Sequence, residues 1–327
     1  MSDVVELLVV GAGPAGLAVG IAAARAGLSC VLLDGRTVVS AIERYPLGMT
    51  FFSTGEKIEL GGIPLVTSTE KPTRRDGLIY FRRVAEAFAL DVRVHERVTQ
   101  IARGADGVFT LHVQRRHDRT SYRARRVVVA TGYYEQPNLL GIPGEGLPHV
   151  AHYFTEGHRH WKQRVVIVGG GNSGVDAALE CWRAGAEVMM VMRGDALHAT
   201  VKSWVLPDIT NRLKEGSIAA RWRSRVVEIT PTEVVVQGAD GASERVPADA
   251  VLLMTGYRPD MTLLREAGVP IDPASGVPTH EPGTMATPVP GLYVAGVIAG
   301  GNDDNLLFIE NTRHHGELIV QDVLARG

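Results

Sequence analysis

One six-residue glycine pattern occurs twice in this chain of 327 residues, as Gly11-Ala12-Gly13-Pro14-Ala15-Gly16 and as Gly169-Gly170-Gly171-Asn172-Ser173-Gly174. Each copy follows a β-branched run, residues 4–10 or 164–168, and leads into residues 17–26 or 175–184, which favour a helix. A glycine, Gly27 or Gly185, stops each helix, and a second apolar run, residues 30–33 or 187–192, follows. Strand, glycine turn, helix and strand within about thirty residues make a βαβ unit. An internal repeat of such a unit predicts an α/β chain with two compact bodies, and 327 residues at 45% hydrophobic content suffice to bury two cores.

The spacing of the glycines carries a chemical meaning. The first permits a tight turn, the second lets the backbone approach a pyrophosphate, and the third lets helix and strand pack closely. The phosphates then sit on a helix N-terminus, where free N–H groups and the dipole favour an anion. Gly11, Gly13, Pro14, Ala15 and Gly16 are therefore candidate dinucleotide contacts, as are Gly169, Gly171, Asn172, Ser173 and Gly174. Asp34 ends the second strand of the first unit, about 20 residues beyond the turn, where a carboxylate accepts hydrogen bonds from ribose hydroxyls. The second unit ends instead in Val191-Met192-Arg193-Gly194. A carboxylate there would repel a 2′-phosphate, whereas a guanidinium binds one with charge-assisted hydrogen bonds. Arg193, helped by Lys202, therefore predicts NADPH over NADH at the second turn; the blander reading of Arg193 is a solvated loop residue.

Composition removes other classes of function. A formal charge of −2 offers no basic field for nucleic acid or an anionic membrane. No apolar run reaches the ~18 residues of a membrane span, and Met1-Ser2-Asp3 leads into an apolar segment without a basic leader, so a cytoplasmic protein is expected. The two cysteines, Cys30 and Cys181, form no Cys-x-x-Cys pair and lie in apolar elements, where a small core hydrophobe is the expected role. No metal site is expected.

Between the repeats, Thr73 caps an amphipathic helix over residues 74–89, followed by β segments near 92–101, 108–114 and 127–130. After the second repeat come β segments at 225–229, 233–236 and 251–254. Turn-rich crossings are expected at residues 131–137 and 255–259.

With Ala130-Thr131-Gly132 leaving the first unit and Thr255-Gly256-Tyr257-Arg258-Pro259-Asp260 leaving the second, nearly the whole chain resembles the thioredoxin-reductase-like flavoproteins. The resemblance implies two nested Rossmann-like dinucleotide-binding domains in a three-layer fold. Residues 1–135 and 258–327 form a discontinuous FAD-binding domain, and residues 136–257 form an inserted NADPH-binding domain. Residues 45–54 (Tyr-Pro-Leu-Gly-Met-Thr-Phe-Phe-Ser-Thr), 58–64, 71–74, 201–209 and 291–299 are similar to the bacillithiol disulfide reductase group, also called YpdA or bacilliredoxin reductase. That group implies that the 45–54 loop lies by the flavin. It adds Gly35, Met49, Phe52, Ser53 and Val98 to the FAD contacts. Ala130, Thr131, Gly132, Gly296, Val297 and Ile309 join them, and Gly256 joins the NADPH contacts. Core packing is the competing expectation for Phe51 and Phe52. A homodimer or higher homo-oligomer is also implied.

Three departures bear on chemistry. Thioredoxin reductases carry Cys-x-x-Cys before the second turn, where this chain reads His152-Tyr153-Phe154-Thr155. Several bacillithiol reductases carry an active cysteine in the first turn, where Ala15 stands here. The common Gly-Asp that meets the flavin ribityl chain is Gly296-Val297, so backbone has to replace the carboxylate. Residues 306–320 then predict a helix whose N-terminal N–H groups face the flavin, with Asp303 and Asp304 as ordinary N-terminal caps in the competing reading. The expected activity is hydride transfer from NADPH to FAD and onward to a small acceptor such as a low-molecular-weight disulfide, with no catalytic side chain identified. The rival readings are a flavin monooxygenase, a ferredoxin-type NADP reductase and a redox-sensing nucleotide-binding module. His314 and His315 are expected at the surface or an interface. His149, His152, His158 and His160 are expected around the approach to the insertion.

Overall fold

The computed structural model describes residues 4–303 and 307–326. The backbone separates into two compact units. One contains Met1–Glu43, Met49–Gln136 and Tyr257–Gly327, and the other Arg44–Gly48 and Pro137–Gly256.

In the first unit β1 (Val5–Val10) runs into α1 (Pro14–Arg25) and returns as β2 (Cys30–Asp34). The helix begins three residues earlier than its apolar pattern predicts, because Pro14 occupies the first turn, where its missing N–H costs nothing. β1 is buried at Leu7, Leu8 and Val9 and pairs in parallel with β2 and with the strand Arg119–Val129. Strand Asp91–Val94 extends the sheet beyond β2, and Leu292–Val294 pairs in parallel with Arg119–Val129. Phe109–Gln114 and Arg97–Arg103 complete a seven-stranded sheet with antiparallel pairings.

Arg119–Val129 is much longer than the predicted 127–130 segment. Its second half is a buried parallel strand, while its first half belongs to the antiparallel meander and carries exposed arginines. Arg123 pairs with Asp106 at 2.8 Å and Arg125 with Glu6 at 3.0 Å. Those charges hide the strand from a hydrophobicity reading. The helix Arg74–Ala87 is capped as expected: Asp76 N–H donates to Thr73 Oγ1, and Thr73 N–H donates back to Asp76 Oδ2 at 2.8 Å.

The C-terminal segment departs from the expected single helix over 306–320. Two helices, Ile309–Thr312 and His315–Ala325, meet at a corner where Arg313 donates to the carbonyls of Glu56 and Glu59. Asp304, Asn305 and Leu306, where that helix was expected to begin, lie outside the described residues. The last helix rests on α1, and a Cβ at Gly316 would collide with the Ala18 carbonyl and the backbone N of Val19.

The second unit repeats the plan. Arg164–Val168, the helix Asn172–Arg183 and Glu187–Val191 form its βαβ element. A five-stranded parallel sheet has the order Ala219–Arg221, Glu187–Val191, Arg164–Val168, Ala250–Leu253, Val150–Ala151. A separate antiparallel sheet joins Ser224–Ile229, Glu233–Gly238 and Ser243–Pro247. Two cores flank the parallel sheet, one around Ile167, Ala178 and Met190, the other around Val166, Val234 and Val251. Arg44–Gly48 belongs to this unit: Leu47 N–H donates to Thr155 O at 2.9 Å, and the Arg44 guanidinium lies 4.0 Å from the Tyr153 ring centroid.

Gly316→Ala forces a methyl into backbone that cannot yield like a side chain, so urea denaturation should show a loss of about 1–3 kcal/mol. Unchanged stability would mean that the last helix does not bear on α1.

Candidate functional site

The two glycine turns are built alike. A Cβ at Gly11 would collide with the Ala130 carbonyl, and one at Gly16 with the Gly11 carbonyl. In the second unit a Cβ at Gly169 would strike the Met254 carbonyl and one at Gly174 the Gly169 carbonyl. Gly11 and Gly169 also take φ of 110° and 125°, which side-chain-bearing residues rarely adopt. The middle glycines differ. A Cβ at Gly13 or Gly171 would meet nothing within 4 Å. The space over each middle glycine is open, as close approach of a pyrophosphate requires.

Both helices start bare. Gly13 and Gly171 are the N-caps, neither helix has a side-chain cap, and Pro14 brings no N–H. The first-turn amides therefore remain for an anion, in contrast to the fully capped helix at Thr73. Next to the first turn, Thr131 Oγ1 is buried with no hydrogen-bond partner, and Gly132 at φ 75° has open space at its Cβ position. An orphaned buried hydroxyl beside an amide cradle suits a polar ligand at that turn. These residues fit the FAD expected there, and Gly171 with the bare helix fits a second dinucleotide.

Asp34 is buried and first serves the turn itself. Ala12 N–H donates to Oδ2 at 3.0 Å, and Arg36 N–H donates to Oδ1 at 2.9 Å. Burial raises its pKa, opposed by those amide bonds. Each oxygen keeps acceptor capacity for a ribose hydroxyl. Gly35 lies against the Arg97 side chain, and Val98 is buried in the strand that follows.

The 45–54 loop divides: residues 45–48 lie in the second unit and 49–54 in the first. Phe51, 5% exposed, packs against Gly77 as core, whereas Phe52 is 40% exposed and Met49 is half-buried. Ser53 Oγ donates to Glu310 Oε2 at 2.8 Å, next to Ile309. Gly296 is buried, Val297 half-buried, and the Gly296 N–H donates to His315 Nδ1 at 3.1 Å. That amide is thus not available to replace the missing carboxylate toward a flavin. His315, expected at the surface or an interface, is half-buried, and burial with the neighbouring His280 and His314 pushes its pKa down to about 4.

In the second unit Asn172 Nδ2 donates to Thr200 O at 3.0 Å, and Lys202 N–H donates to Asn172 Oδ1 at 3.0 Å, so the 198–202 segment lies on the turn. The Lys202 ammonium reaches Asp176 at 2.6 Å and not Arg193. Ser173 is exposed on the first helical turn, and Gly256 takes φ 83° beside Asn138. The basic partners of Arg193 are others. Arg193, Arg223 and Arg225 line one cavity of about 300 Å³ with Gln237 and Gly238. Arg223 N–H donates to Gly194 O at 2.9 Å, and Arg223 holds φ 49°, a strained backbone that aims its side chain. Its guanidinium pairs with Asp195 at 3.1 Å, and Arg225 donates to Gln237 Oε1. No ion pair engages Arg193 among the described residues.

His160 is buried and bonded to Gln163 at 2.9 Å, and His152 lies 3.7 Å from Glu145, whose carboxylate accepts the Leu140 and Gly141 amides. Burial pushes the thiols of Cys30 and Cys181 up to about 12, with nearby Asp91 and Glu180 adding to it. Among the described residues no group of three His, Cys, Asp or Glu side chains could hold a metal ion.

Residues 8–296 match the family model for pyridine nucleotide-disulphide oxidoreductases. The chain is 38% identical over 321 residues to bacilliredoxin reductase Bdr of Bacillus subtilis, covering 98% of each. It superimposes on bacillithiol disulfide reductase Bdr (YpdA) from Bacillus cereus with a TM-score of 0.97, 37% identity and coverage of 99% of this chain and 100% of that one. On the Staphylococcus aureus enzyme of the same name the TM-score is 0.93, with 36% identity and coverage of 100% and 99%. The protein is an NADPH-dependent flavin oxidoreductase, with FAD and NADPH as cofactors and two Rossmann-like dinucleotide folds. The chain belongs to the pyridine nucleotide-disulphide oxidoreductase family, in its bacilliredoxin reductase (Bdr, YpdA) group.

Proposed function

We propose that residues 1–135 and 258–327 hold FAD, that residues 136–257 hold NADPH, and that the enzyme reduces a low-molecular-weight disulfide. Bacillithiol disulfide is the first candidate. The carrying observation is the pair of matched glycine cradles, open over Gly13 and Gly171, whose following strands end differently, in Asp34 and in Arg193. FAD, when bound, supplies the step between hydride donor and acceptor. The net change is NADPH, one proton and one disulfide giving NADP⁺ and two thiols.

The protein's own groups bind and orient. The bare helix N-termini take the pyrophosphates, Asp34 takes the FAD ribose, and Arg193 with Arg223 takes the adenosine 2′-phosphate. Neither cysteine is a thiolate near neutral pH, and the first turn carries Ala15 in place of a thiol. The substrate S–S bond is accordingly cleaved without a mixed disulfide to this chain. Action in the cytoplasm as a homodimer is part of the same reading, and no helix among the described residues is long and apolar enough to cross a membrane. The relatives reported above are named as reductases of this kind, so the monooxygenase, ferredoxin-reductase and sensor readings are not favoured.

Gly13→Val and Gly171→Val separate the two cradles. Each adds a side chain in open space at an ordinary backbone conformation, so unfolding midpoints should hold. The first should lose FAD on gel filtration, and the second should raise the NADPH KM at least tenfold while keeping its flavin. Both variants binding normally would refute the assignment.

Arg193→Ala and Arg223→Ala should each lower the NADPH-over-NADH preference in kcat/KM by about 10- to 100-fold, the worth of one or two charge-assisted hydrogen bonds. An unchanged ratio in both would remove the arginine cavity from cofactor choice.

Anaerobic NADPH oxidation should be fastest with bacillithiol disulfide among small disulfides, quinones and ferredoxin. Rapid turnover with ferredoxin and none with any disulfide would overturn the proposed acceptor.

A further inference from the structure

Gly296 begins a short 3-10 segment, Gly296–Gly300, just after the strand Leu292–Val294, with φ 82°. A Cβ at 296 would lie 2.7 Å from the Cβ of Ala15, so this backbone rests on the first glycine turn itself. Its N–H donates to Nδ1 of His315 at 3.1 Å. Because an amide N–H can only donate, Nδ1 carries no proton and the ring is the Nε2–H tautomer. The ring owes its position to the seating of the last helix, where Gly316 allows backbone contact with Ala18 of α1. The first turn, the strand end, α1 and the last helix thus lie together, joined on one side by the bond from Gly296 to this ring.

We propose that His315 is a positioning residue for FAD, holding Gly296 and Val297 against α1 in the orientation that a carboxylate after this glycine serves in the common reductase pattern. The proposal rests on the reading that Gly296 and Val297 face the flavin. Protonation of the ring would set N–H against N–H. The titratable groups acting on it are basic: His314 beside it on the corner, with Arg313 3.3 Å from His314, and His280, whose Nδ1 pairs with the Pro278 carbonyl at 2.7 Å. They hold the ring neutral, as burial does.

Two near-isosteres test the role. His315→Asn keeps an acceptor oxygen close to where Nδ1 stands, and His315→Leu keeps bulk without an acceptor. For each variant the FAD dissociation constant of the apoprotein, the visible flavin spectrum, the hydrogen exchange of the Gly296 amide and the apoprotein unfolding midpoint are measured. In His315→Leu, Gly296 exchange should accelerate and FAD binding weaken about tenfold with a shifted flavin band, while His315→Asn should restore both to within about threefold. Equal impairment in the two variants would overturn the acceptor role, and so would unchanged Gly296 exchange in His315→Leu. Faster exchange with unaltered FAD binding and spectrum would locate the failure in the reading that this turn faces the flavin. Should the leucine variant fail to fold, pH supplies the contrast. Wild-type FAD affinity should fall as pH drops toward 4, and that of His315→Asn should not; parallel profiles would overturn the proposal.

Discussion

Backbone-on-backbone contact at the glycine turns sets the rest of this structure. Gly16 lies against the carbonyl of Gly11, and Gly11 against that of Ala130, so the end of β1, the start of α1 and the end of Arg119–Val129 form one knot. A single methyl at either glycine would push these elements apart. Gly174, Gly169 and Met254 repeat the arrangement in the second unit. In each unit the knot lies at the carboxyl ends of parallel strands, where open α/β sheets bind their ligands. The residue after the first knot, Thr131, carries the buried unpartnered hydroxyl, so packing constraint and polar recognition are adjacent in the chain.

The same constraint separates helices built for stability from helices built for a ligand. Arg74–Ala87 satisfies its own N-terminus through Thr73 and Asp76, which leaves little for an anion. The fingerprint helices have glycine caps without side chains, at a cost of about a few tenths of a kcal/mol each, and their first-turn amides stay free for a ligand or water. Electrostatics then distinguishes two otherwise similar cradles. Asp34 is held by two amides and presents negative charge, while Arg193, Arg223 and Arg225 concentrate positive charge in one cavity. The carboxylate suits hydroxyls and the guanidinium groups suit a phosphate.

What the sequence made legible was local. Both glycine turns, the stop at Gly27 and the cap at Thr73 are short-range patterns in which each residue's neighbours decide its conformation. The missing pieces depend on contacts across the sheet. Arg223 and Arg225 join Arg193 because Arg223 N–H bonds to Gly194 O and the Arg225 strand follows at once, a proximity that no linear spacing announces. Lys202, read from charge as a helper of Arg193, lies on the second turn against Asn172, and Asp176 takes its ammonium. The doublet His314-His315 gives no periodic signal for which ring turns inward; the seat of Gly316 on α1 decides it. The expected helix over 306–320 is split because Arg313 anchors a corner through two carbonyls from a distant segment.

The chemistry inherits a consequence from what the first turn lacks. A Cβ at Gly296 would lie 2.7 Å from the Ala15 methyl, and that methyl can form no bond to sulfur. Neither remaining cysteine compensates, since both sit in apolar elements where the thiolate is disfavoured. Neither the first turn nor either cysteine therefore offers a ready thiolate, so the proposed disulfide cleavage proceeds without covalent capture by this chain.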